Sequence, residues 1–433
     1  METQTKAKTG PLKAIGEKMM IMKVPSYGNS IFYSLGFLGI TCFAILLASG
    51  LVMVFMGPAW WLANPAGIFF RSIHLWTAQA FVLIIILHAL VVFSTSAFKP
   101  PRRLTWILGS IMFFLMLLEA EFGFYLRGDF SSQYRALQGA DFWNGAFLGN
   151  IINTLNNAEI YGIHIVLIPA VIFALLILHY MLVKIRGIAA PYKKDFKYKT
   201  VAANHKRLFL RGAALAALII ILAVVFPSPL VTPVNIQKIA GENPELMAKT
   251  LESEYNRDSD TATYFDSIDP YKFDTRQIYV LRPYETYEQN IGNAASGAHL
   301  PPVPQIISTL VGTAKSGLYE SMLNNFNPGI NPTYALRFLS DTGVMDDEAA
   351  SLHITTEQWG MMREESGKIP PGAWWLAPLG ILDHTILAND NNGDRDGAII
   401  LALIMMLFIF LPYIPYANRI PEKLHLAEFI WKM

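Results

Sequence analysis

Six long apolar stretches constrain this 433-residue chain more than any other feature. A helix needs about 20 mainly apolar residues to cross the hydrocarbon core of a bilayer, and it must satisfy its own backbone hydrogen bonds there. Each stretch approaches that length and therefore predicts a transmembrane helix. In chain order, the six predicted spans cover residues 35–56, 74–97, 104–126, 161–185, 208–226 and 397–414.

Composition supports a membrane protein with a sizeable polar part. Charged residues make up only 15% of the chain, against about 25% in a typical soluble domain, which argues against a soluble enzyme. The mean hydropathy of +0.35 is too low for a chain that lies wholly within the membrane. The net charge of +1 excludes a global basic field for nucleic acid. A shorter apolar stretch, residues 373–387, predicts a re-entrant or interfacial segment.

Basic residues predict the orientation of the spans. Lysine and arginine are enriched in cytoplasmic loops of membrane proteins. They occur here in the N-terminal segment, in the loops after the second and fourth spans, and in the C-terminal tail. Residues 228–369, in contrast, contain 19 acidic and 10 basic residues, a net charge of −9. We therefore expect both termini on the cytoplasmic side and an acidic insert domain on the outer side.

Four of the nine histidines lie within predicted spans, two on the second span and two on the fourth. His88 follows His74 by 14 residues, and His179 follows His164 by 15. Both spacings are close to four helical turns, so each helix presents two imidazoles on one face, about 21 to 22 Å apart. Because one span lies between them, the two helices run in the same direction. His74 and His164 are therefore predicted at the outer level, and His88 and His179 at the inner level.

Two facing imidazoles at one level form the axial site of a bis-histidine haem. Polar groups at this depth usually have a function; the alternative is that each histidine is a buried packing group bonded to a neighbouring helix. The single cysteine, Cys42, excludes a cysteine-ligated iron–sulfur cluster, a thiolate zinc site and a CxxCH haem attachment. We therefore predict two non-covalent b-type haems, stacked across the membrane.

Small and basic residues accompany the histidines. Two glycine pairs, each 14 residues apart, would let a flat macrocycle approach the backbone, although small-residue packing between membrane helices also explains them. Arg71 at the outer level, and Lys99 and Arg102 at the inner level, are either partners of haem propionates or flanking anchors. The glycines are Gly36 and Gly50 on the first span and Gly109 and Gly123 on the third.

These residues resemble cytochrome b of the bc1/b6f type, and cytochrome b6 in particular. The resemblance covers about residues 28–192 and includes the Arg-x-x-His start of the second span, both histidine spacings, Pro169 and both glycine pairs. It implies a four-helix dihaem bundle with a low-potential outer haem and a high-potential inner haem, and quinol and quinone as substrates. Ser34 replaces the cysteine through which cytochrome b6 attaches a further haem, so no covalent haem is expected.

The C-terminal part resembles, more weakly, the quinone-site subunit that follows cytochrome b6, here fused to it. The departures fall on the outer quinol site. The family's PEWY motif reads GAWW at residues 372–375, so Ala373 replaces the glutamate that takes a quinol proton, while Trp374 and Trp375 stay candidates for the site. The LPW turn after the third span reads LRG at residues 126–128.

Two carboxylates and one lysine are the other candidates for quinone chemistry. Glu119 and Glu121, near the outer end of the third span, either replace the lost acceptor as general bases or are structural acids, for example paired with Arg127. Lys184, at the inner end of the fourth span, matches a basic quinone-site position of the family, and is otherwise a snorkelling anchor.

The leading interpretation is an all-α membrane protein that transfers electrons in a quinol-oxidising complex: a four-helix dihaem bundle, about two further transmembrane helices and an outer-side insert domain. A partner with a Rieske-type iron–sulfur centre or a c-type haem would take the other electron of each quinol. We expect a hetero-oligomeric complex, as a monomer or a dimer, in a bacterial inner membrane. A dihaem conduit without its own outer quinol oxidation, and a non-redox transport subunit, remain open. The acidic insert either docks a basic cytochrome or packs on neighbouring subunits.

Five segments result from this interpretation. They are an amphipathic N-terminus (1–34), the cytochrome b6-like bundle (35–192), a basic loop with the fifth span (193–227), the acidic insert (228–369), and the quinone-site-like segment with the sixth span and tail (370–433).

Overall fold

The structure is a computed structural model in which the described part of the chain is mainly helical. It describes residues 20–21, 23–149, 151–188, 199–265, 274–292, 299–325, 334–354, 372–390 and 392–431. The first half of the predicted amphipathic N-terminus therefore lies outside the described residues. The chain divides into two compact units. The first contains residues 1–117, 170–228 and 404–433, and the second contains residues 118–169 and 229–403.

Helices make up most of the described elements. The α-helices are α1 (Leu35–Met56), α2 (Pro58–Ala63), α3 (Pro65–Ser94), α4 (Arg103–Tyr125), α5 (Phe130–Gly145), α6 (Asn157–Gly162), α7 (Ile168–Arg186), α8 (His205–Val225), α9 (Ile236–Glu242), α10 (Pro244–Asn256), α11 (Arg282–Asn290), α12 (Val303–Lys315), α13 (Leu318–Asn325), α14 (Tyr334–Asp341), α15 (Val344–Ser351), α16 (Ala377–His384), α17 (Gly393–Ile409), α18 (Ile420–Lys423) and α19 (Ala427–Trp431).

Shorter elements complete the list. Two three-residue strands, β1 (Lys23–Pro25) and β2 (Thr200–Ala202), pair antiparallel with Lys23 opposite Ala202. Five-residue π-helical turns cover Ile163–Leu167, Thr261–Phe265 and Gln277–Leu281, and 3₁₀ turns cover Ser26–Asn29, Phe32–Ser34, Trp374–Leu376, Leu411–Tyr413 and Ala417–Arg419.

Five helical segments in the described residues are long and apolar enough to cross a membrane, in agreement with the first five predicted spans. They are α1 with the 3₁₀ turn before it, α3, α4, the continuous segment from α6 through α7, and α8. Their apolar side chains face outward at many positions, as on Leu51 and Leu90. A helix that is apolar around its whole circumference suits lipid, so the chain is an integral membrane protein.

The sixth predicted span requires a correction. Its helix, α17, has 17 residues and ends at Ile409, not near residue 414. At about 1.5 Å per residue it is about 26 Å long, shorter than the hydrocarbon core of about 30 Å. Pro412 explains the early end, because proline has no N–H and its ring clashes with the preceding helical turn.

Four basic segments meet at one end of the first unit, as the sequence predicts. The β1–β2 pairing joins the N-terminal segment to the loop before α8. Arg102, between α3 and α4, donates to the carbonyls of residues 186, 187 and 188 at the end of α7. Lys99 of the same loop forms an ion pair with Glu422 of the C-terminal tail. Segments far apart in sequence therefore share one end of the unit.

Contacts between α1, α3 and α8 hold the first unit together. Leu38, Cys42 and Ile84 are buried in one apolar cluster, against which Leu215 of α8 packs. At the opposite end from the basic segments, the Trp76 indole donates to the carbonyl of Phe226 at 2.8 Å.

The second unit contains the predicted insert, and it is helical. Its core collects apolar side chains from α9, α10 and α12 to α15. Phe130 and Tyr134 of α5, from the connection after α4, belong to the same core. The Tyr319 hydroxyl, fully buried, donates to the carbonyl of Tyr279 at 2.7 Å. This buried hydroxyl is therefore hydrogen-bonded, as its burial requires.

Candidate functional site

The predicted inner histidines line one cavity within the first unit. The cavity has a volume of about 690 Å³, and His88 of α3 and His179 of α7 both face it. A Cβ added at Gly36 of α1 would lie 3.4 Å from Cε1 of His88, and one added at Gly109 of α4 would lie 3.1 Å from Cε1 of His179. The glycines therefore provide the space in which the two imidazole rings sit.

One wall of this cavity is basic. Arg102, His205 and Arg211 line it, and none of the described residues around it is acidic. Arg211 donates to the carbonyls of Asn29 and Ser30, at 3.3 and 2.9 Å. Its positive charge is thus held by neutral acceptors. A cavity that is apolar along most of its wall and positive at one side suits a flat apolar ligand with an anionic edge.

The predicted outer histidine of the first unit, His74, has a defined hydrogen-bond partner. Its Nδ1 lies 2.9 Å from Oγ of Ser49 on α1. The Ser49 hydroxyl donates its one proton to the carbonyl of Ile45 at 2.7 Å, so it accepts from Nδ1–H of His74. In a neutral imidazole the other nitrogen, Nε2, then carries no proton and is the nitrogen that can coordinate a metal.

The predicted outer histidine of the second unit, His164, is oriented by Glu119. Its Nδ1 lies 3.0 Å from the carboxylate Oε1 of Glu119 and 3.2 Å from the carbonyl oxygen of the same residue. Both neighbours are acceptors, so Nδ1 carries the proton and the unprotonated Nε2 is the nitrogen that can coordinate a metal.

Glycines also lie against the two outer-level rings. A Cβ added at Gly50 would lie 3.3 Å from Cε1 of His74. One added at Gly123 would lie 2.8 Å from Cε1 of His164, closer than carbon atoms pack. All four predicted glycines therefore face an imidazole ring. The two glycines of α1 face the histidines of α3, and the two glycines of α4 face His164 and His179.

A π-helical turn surrounds His164. It covers Ile163–Leu167, between α6 and α7. An i→i+5 turn takes one residue more than an α turn, and such turns are frequent at functional sites. This segment also has one residue more between its histidines than α3 has, 15 against 14. The π turn accommodates that additional residue at the histidine itself.

The remaining basic residues predicted near the haems or the inner quinone site differ in position. Arg102 lines the cavity, whereas Lys99 is paired with Glu422 and Lys184 is exposed, and neither is among the residues around the cavity. Arg71 is buried one helical turn before His74.

The residues predicted for the outer quinol site lie in the second unit. Glu121 forms an ion pair with Arg135 of α5 at 3.6 Å. The ring of Trp375 packs edge-on against that of Phe124, with 6.3 Å between the ring centroids, and edge-on against that of Trp374. Ala373, which replaces the family's glutamate, is fully buried. The predicted partner Arg127 pairs instead with Asp129 at 2.9 Å.

Sequence reasoning missed three residues of these sites. Ser49 directly precedes Gly50, and a hydroxyl beside a predicted haem-facing glycine was an available signal. His205 and Arg211 lie six residues apart near the start of α8, about 1.7 turns, and both line the inner cavity. His205 is half-buried, with Nε2 3.1 Å from the carbonyl oxygen of Ile21. Nothing in the loop's composition indicated that contact.

A b-type haem fits these residues. In the described residues, no three histidine, cysteine, aspartate or glutamate side chains converge as protein ligands of a metal ion would, whereas a porphyrin iron needs only two axial ligands from the protein. Together with the cavity, the glycines and the basic wall, these features define a haem-binding helical membrane protein.

Comparisons with known proteins agree. The family described as "Cytochrome b(N-terminal)/b6/petB" matches residues 79–233. Cytochrome b6 of Heliobacterium modesticaldum is 29% identical over 190 residues, which cover 39% of this chain and 89% of that protein. Cytochrome b6 of Synechocystis is 29% identical over 202 residues, covering 42% of this chain and 90% of its own length.

A solved structure titled "Hyperthermophilic respiratory Complex III" aligns over 95% of this chain and 98% of its own, with 18% identity and a TM-score of 0.44. On the sequence matches, the N-terminal half of the chain is similar to cytochrome b of the bc1/b6f type. The matches to the cytochromes b6 cover about two fifths of the chain.

Proposed function

We propose that this chain is the dihaem electron-transfer subunit of a membrane cytochrome bc-type complex that oxidises quinol. Its family supports electron transfer in such a complex. The finer statement is that His88 and His179 bind an inner haem, that His74 and His164 bind an outer haem, and that electrons pass between them. About 21 Å of helical rise separates the histidines of one helix.

The inner cavity carries this proposal. It combines two histidines, two glycines that seat their rings, and a basic wall without acidic neighbours among the described residues. A volume of about 690 Å³ lies within the usual range of ligand and cofactor cavities, about 300–1,000 Å³. A packing role for His88 and His179 would not require a cavity between them.

The chain's own residues would position and neutralise the cofactor. When bound, a b-type haem supplies one-electron exchange at its iron. Nε2 of each histidine would be the ligand, in the tautomer that Ser49 and Glu119 impose at the outer level. Arg102 would face the propionates of the inner haem, since it lines the cavity.

Quinone chemistry would occur near both haems. At the inner level, His205 and Arg211 are better placed than Lys184, because they line the cavity and Lys184 does not. At the outer level, Glu121 would exchange protons with a quinol, because it is paired with Arg135 and does not orient a predicted haem ligand as Glu119 does. Trp375 lies in the same unit. A Rieske-type iron–sulfur protein or a c-type cytochrome would accept the second electron of each quinol, because Cys42 is the only cysteine.

A redox titration of the purified complex tests the proposal. We expect two b-type haems per chain with separate midpoint potentials. His88→Ala should remove the inner haem and leave the outer one. Loss of neither absorption band in His88→Ala, or a colourless wild-type preparation of full purity, would contradict the assignment.

A dihaem conduit without its own quinol oxidation is the second candidate. It is favoured by the buried Ala373 and by the engagement of both α4 carboxylates, Glu119 with His164 and Glu121 with Arg135. An inhibitor of outer quinol oxidation discriminates between the candidates. If quinol still reduces the haems at an unchanged rate through a docked redox partner, the conduit is supported; if reduction stops, quinol oxidation at the outer site is supported.

A further inference from the structure

The carboxylate of Glu119 has a more specific position than a general base would need. Its Oε1 lies 3.0 Å from Nδ1 of His164. Its other oxygen, Oε2, is buried and has no hydrogen-bond partner in the described residues. The imidazole is thus the one hydrogen-bond partner of this carboxylate within the described part of the chain, and the pair sits on α4 and the neighbouring π turn in a mostly apolar setting.

The contacts described for the other predicted ligands differ from this one. His74 faces the neutral hydroxyl of Ser49. Nδ1 of His179 has no hydrogen-bond partner in the described residues, and the described residues around the cavity that His88 faces include no aspartate or glutamate. The contact on His164 is therefore with a carboxylate, through the nitrogen that is not the predicted ligand.

A carboxylate in this position changes the ligand's electronic properties. By accepting the Nδ1–H hydrogen bond, it fixes the tautomer and the ring orientation and raises the basicity of Nε2. A more basic ligand and a nearby negative charge both favour the more positive, oxidised iron, so the reduction potential falls. A neutral hydroxyl has the same geometric effect without the charge.

We infer that Glu119 is a positioning residue that lowers the midpoint potential of the outer haem through its hydrogen bond with His164. The inference rests on the proposed function, because it requires a haem on His164. It differs from the role of proton acceptor for quinol that the sequence left open for Glu119, since it assigns the carboxylate to the orientation and basicity of His164.

Glu119→Gln in the purified holoprotein is the test. The amide oxygen can still accept from Nδ1–H of His164, but the negative charge is gone. We expect the outer haem's midpoint potential to rise by at least about 59 mV, which corresponds to a tenfold change in a one-electron equilibrium. The inner haem's potential should stay unchanged. The electron paramagnetic resonance spectrum of the outer haem should shift as well, because it reports ligand basicity independently of turnover.

Glu121→Gln is the matched control. Glu121 lies two residues away on α4, but its charge is paired with Arg135 and it does not contact His164. We expect Glu121→Gln to shift the outer haem's potential by only a small fraction of the shift in Glu119→Gln. Equal shifts in the two variants would indicate a general field effect and overturn the inference.

The remaining outcomes separate this inference from the proposed function. If both haems are present and Glu119→Gln leaves both potentials unmoved, the inference is wrong and the dihaem assignment stands. If the wild-type protein holds no haem, the proposed function itself fails. If Glu119→Gln loses the outer haem, Glu119→Asp decides: a retained haem with a low potential supports a charged partner, and its loss shows a packing role and overturns the inference.

Discussion

The four glycines beside the histidines allow a graded prediction. A Cβ at Gly123 would lie 2.8 Å from Cε1 of His164, whereas one at Gly36 would lie 3.4 Å from Cε1 of His88. Carbon atoms in contact prefer separations of about 3.5 to 4.0 Å. An alanine at Gly123 therefore displaces its imidazole by about 0.7 Å relative to a 3.5 Å contact, and an alanine at Gly36 by about 0.1 Å.

The energies follow from two opposing effects. Replacing glycine by alanine inside a helix stabilises it by about 1 kcal/mol. Overpacking costs about 1–3 kcal/mol where the neighbour cannot move freely, and a metal-ligating ring has little freedom. We expect Gly36→Ala to be neutral or slightly stabilising. Gly123→Ala should weaken outer haem binding by up to about 2 kcal/mol, about 30-fold, since 1.4 kcal/mol is a factor of ten.

Haem content per chain, measured after purification and again after incubation with an apo-protein haem acceptor, provides the assay. Within each level the closer glycine should be the more sensitive one: Gly109 more than Gly36 at the inner level, and Gly123 more than Gly50 at the outer level. Equal retention by all four alanine variants, or greater loss from Gly36→Ala than from Gly109→Ala, would refute the reasoning, because the ring contacts would then not determine haem retention.

The remaining predictions concern single contacts. Ser49→Ala should raise the outer haem's potential in the same direction as loss of a carboxylate but by less, because the hydroxyl is uncharged; potentiometric titration measures it. Burial raises the pKa of Asp341 in the insert above its usual value, so the folded insert holds a proton that the unfolded chain releases. The stability of the insert should therefore fall as the pH rises from the pKa of Asp341 in the unfolded chain through its higher pKa in the folded chain. Asp341→Asn should make this stability depend less on pH. Hydrogen exchange of α14, corrected for the intrinsic exchange rates, measures the effect. Glu422→Gln removes the ion pair with Lys99 and should cost about 0–1 kcal/mol in thermal unfolding; a loss of several kcal/mol would show that the tail is a larger determinant of stability.

Local patterns were enough to predict the spans and the levels of the histidines. Hydropathy over about 20 residues depends only on neighbouring residues, and the helical rise converts 14 residues into a distance without reference to the rest of the fold. The pairing of glycines with histidines was foreseeable for the same reason, because equal spacings on adjacent helices match level by level. The end of α17 was also legible in principle, since Pro412 interrupts the apolar run.

Contacts between side chains of different helices were not predictable in this way. Glu119 and Glu121 are two residues apart on α4 and looked equivalent in the sequence, yet the first contacts His164 and the second Arg135. Residues two apart face directions about 200° apart on a helix, and which direction meets a histidine depends on how the helix is rotated against its neighbours.

The sequence by itself determined that this chain is a membrane protein with histidines at two depths, because hydropathy and helical rise are properties of short stretches of backbone. The tertiary structure alone decided which partners those histidines have, which arginine lines the inner cavity, and that Lys184 faces outward. Rotation and packing of each helix depend on the sum of contacts with residues distant in the chain, and no local pattern contains that sum.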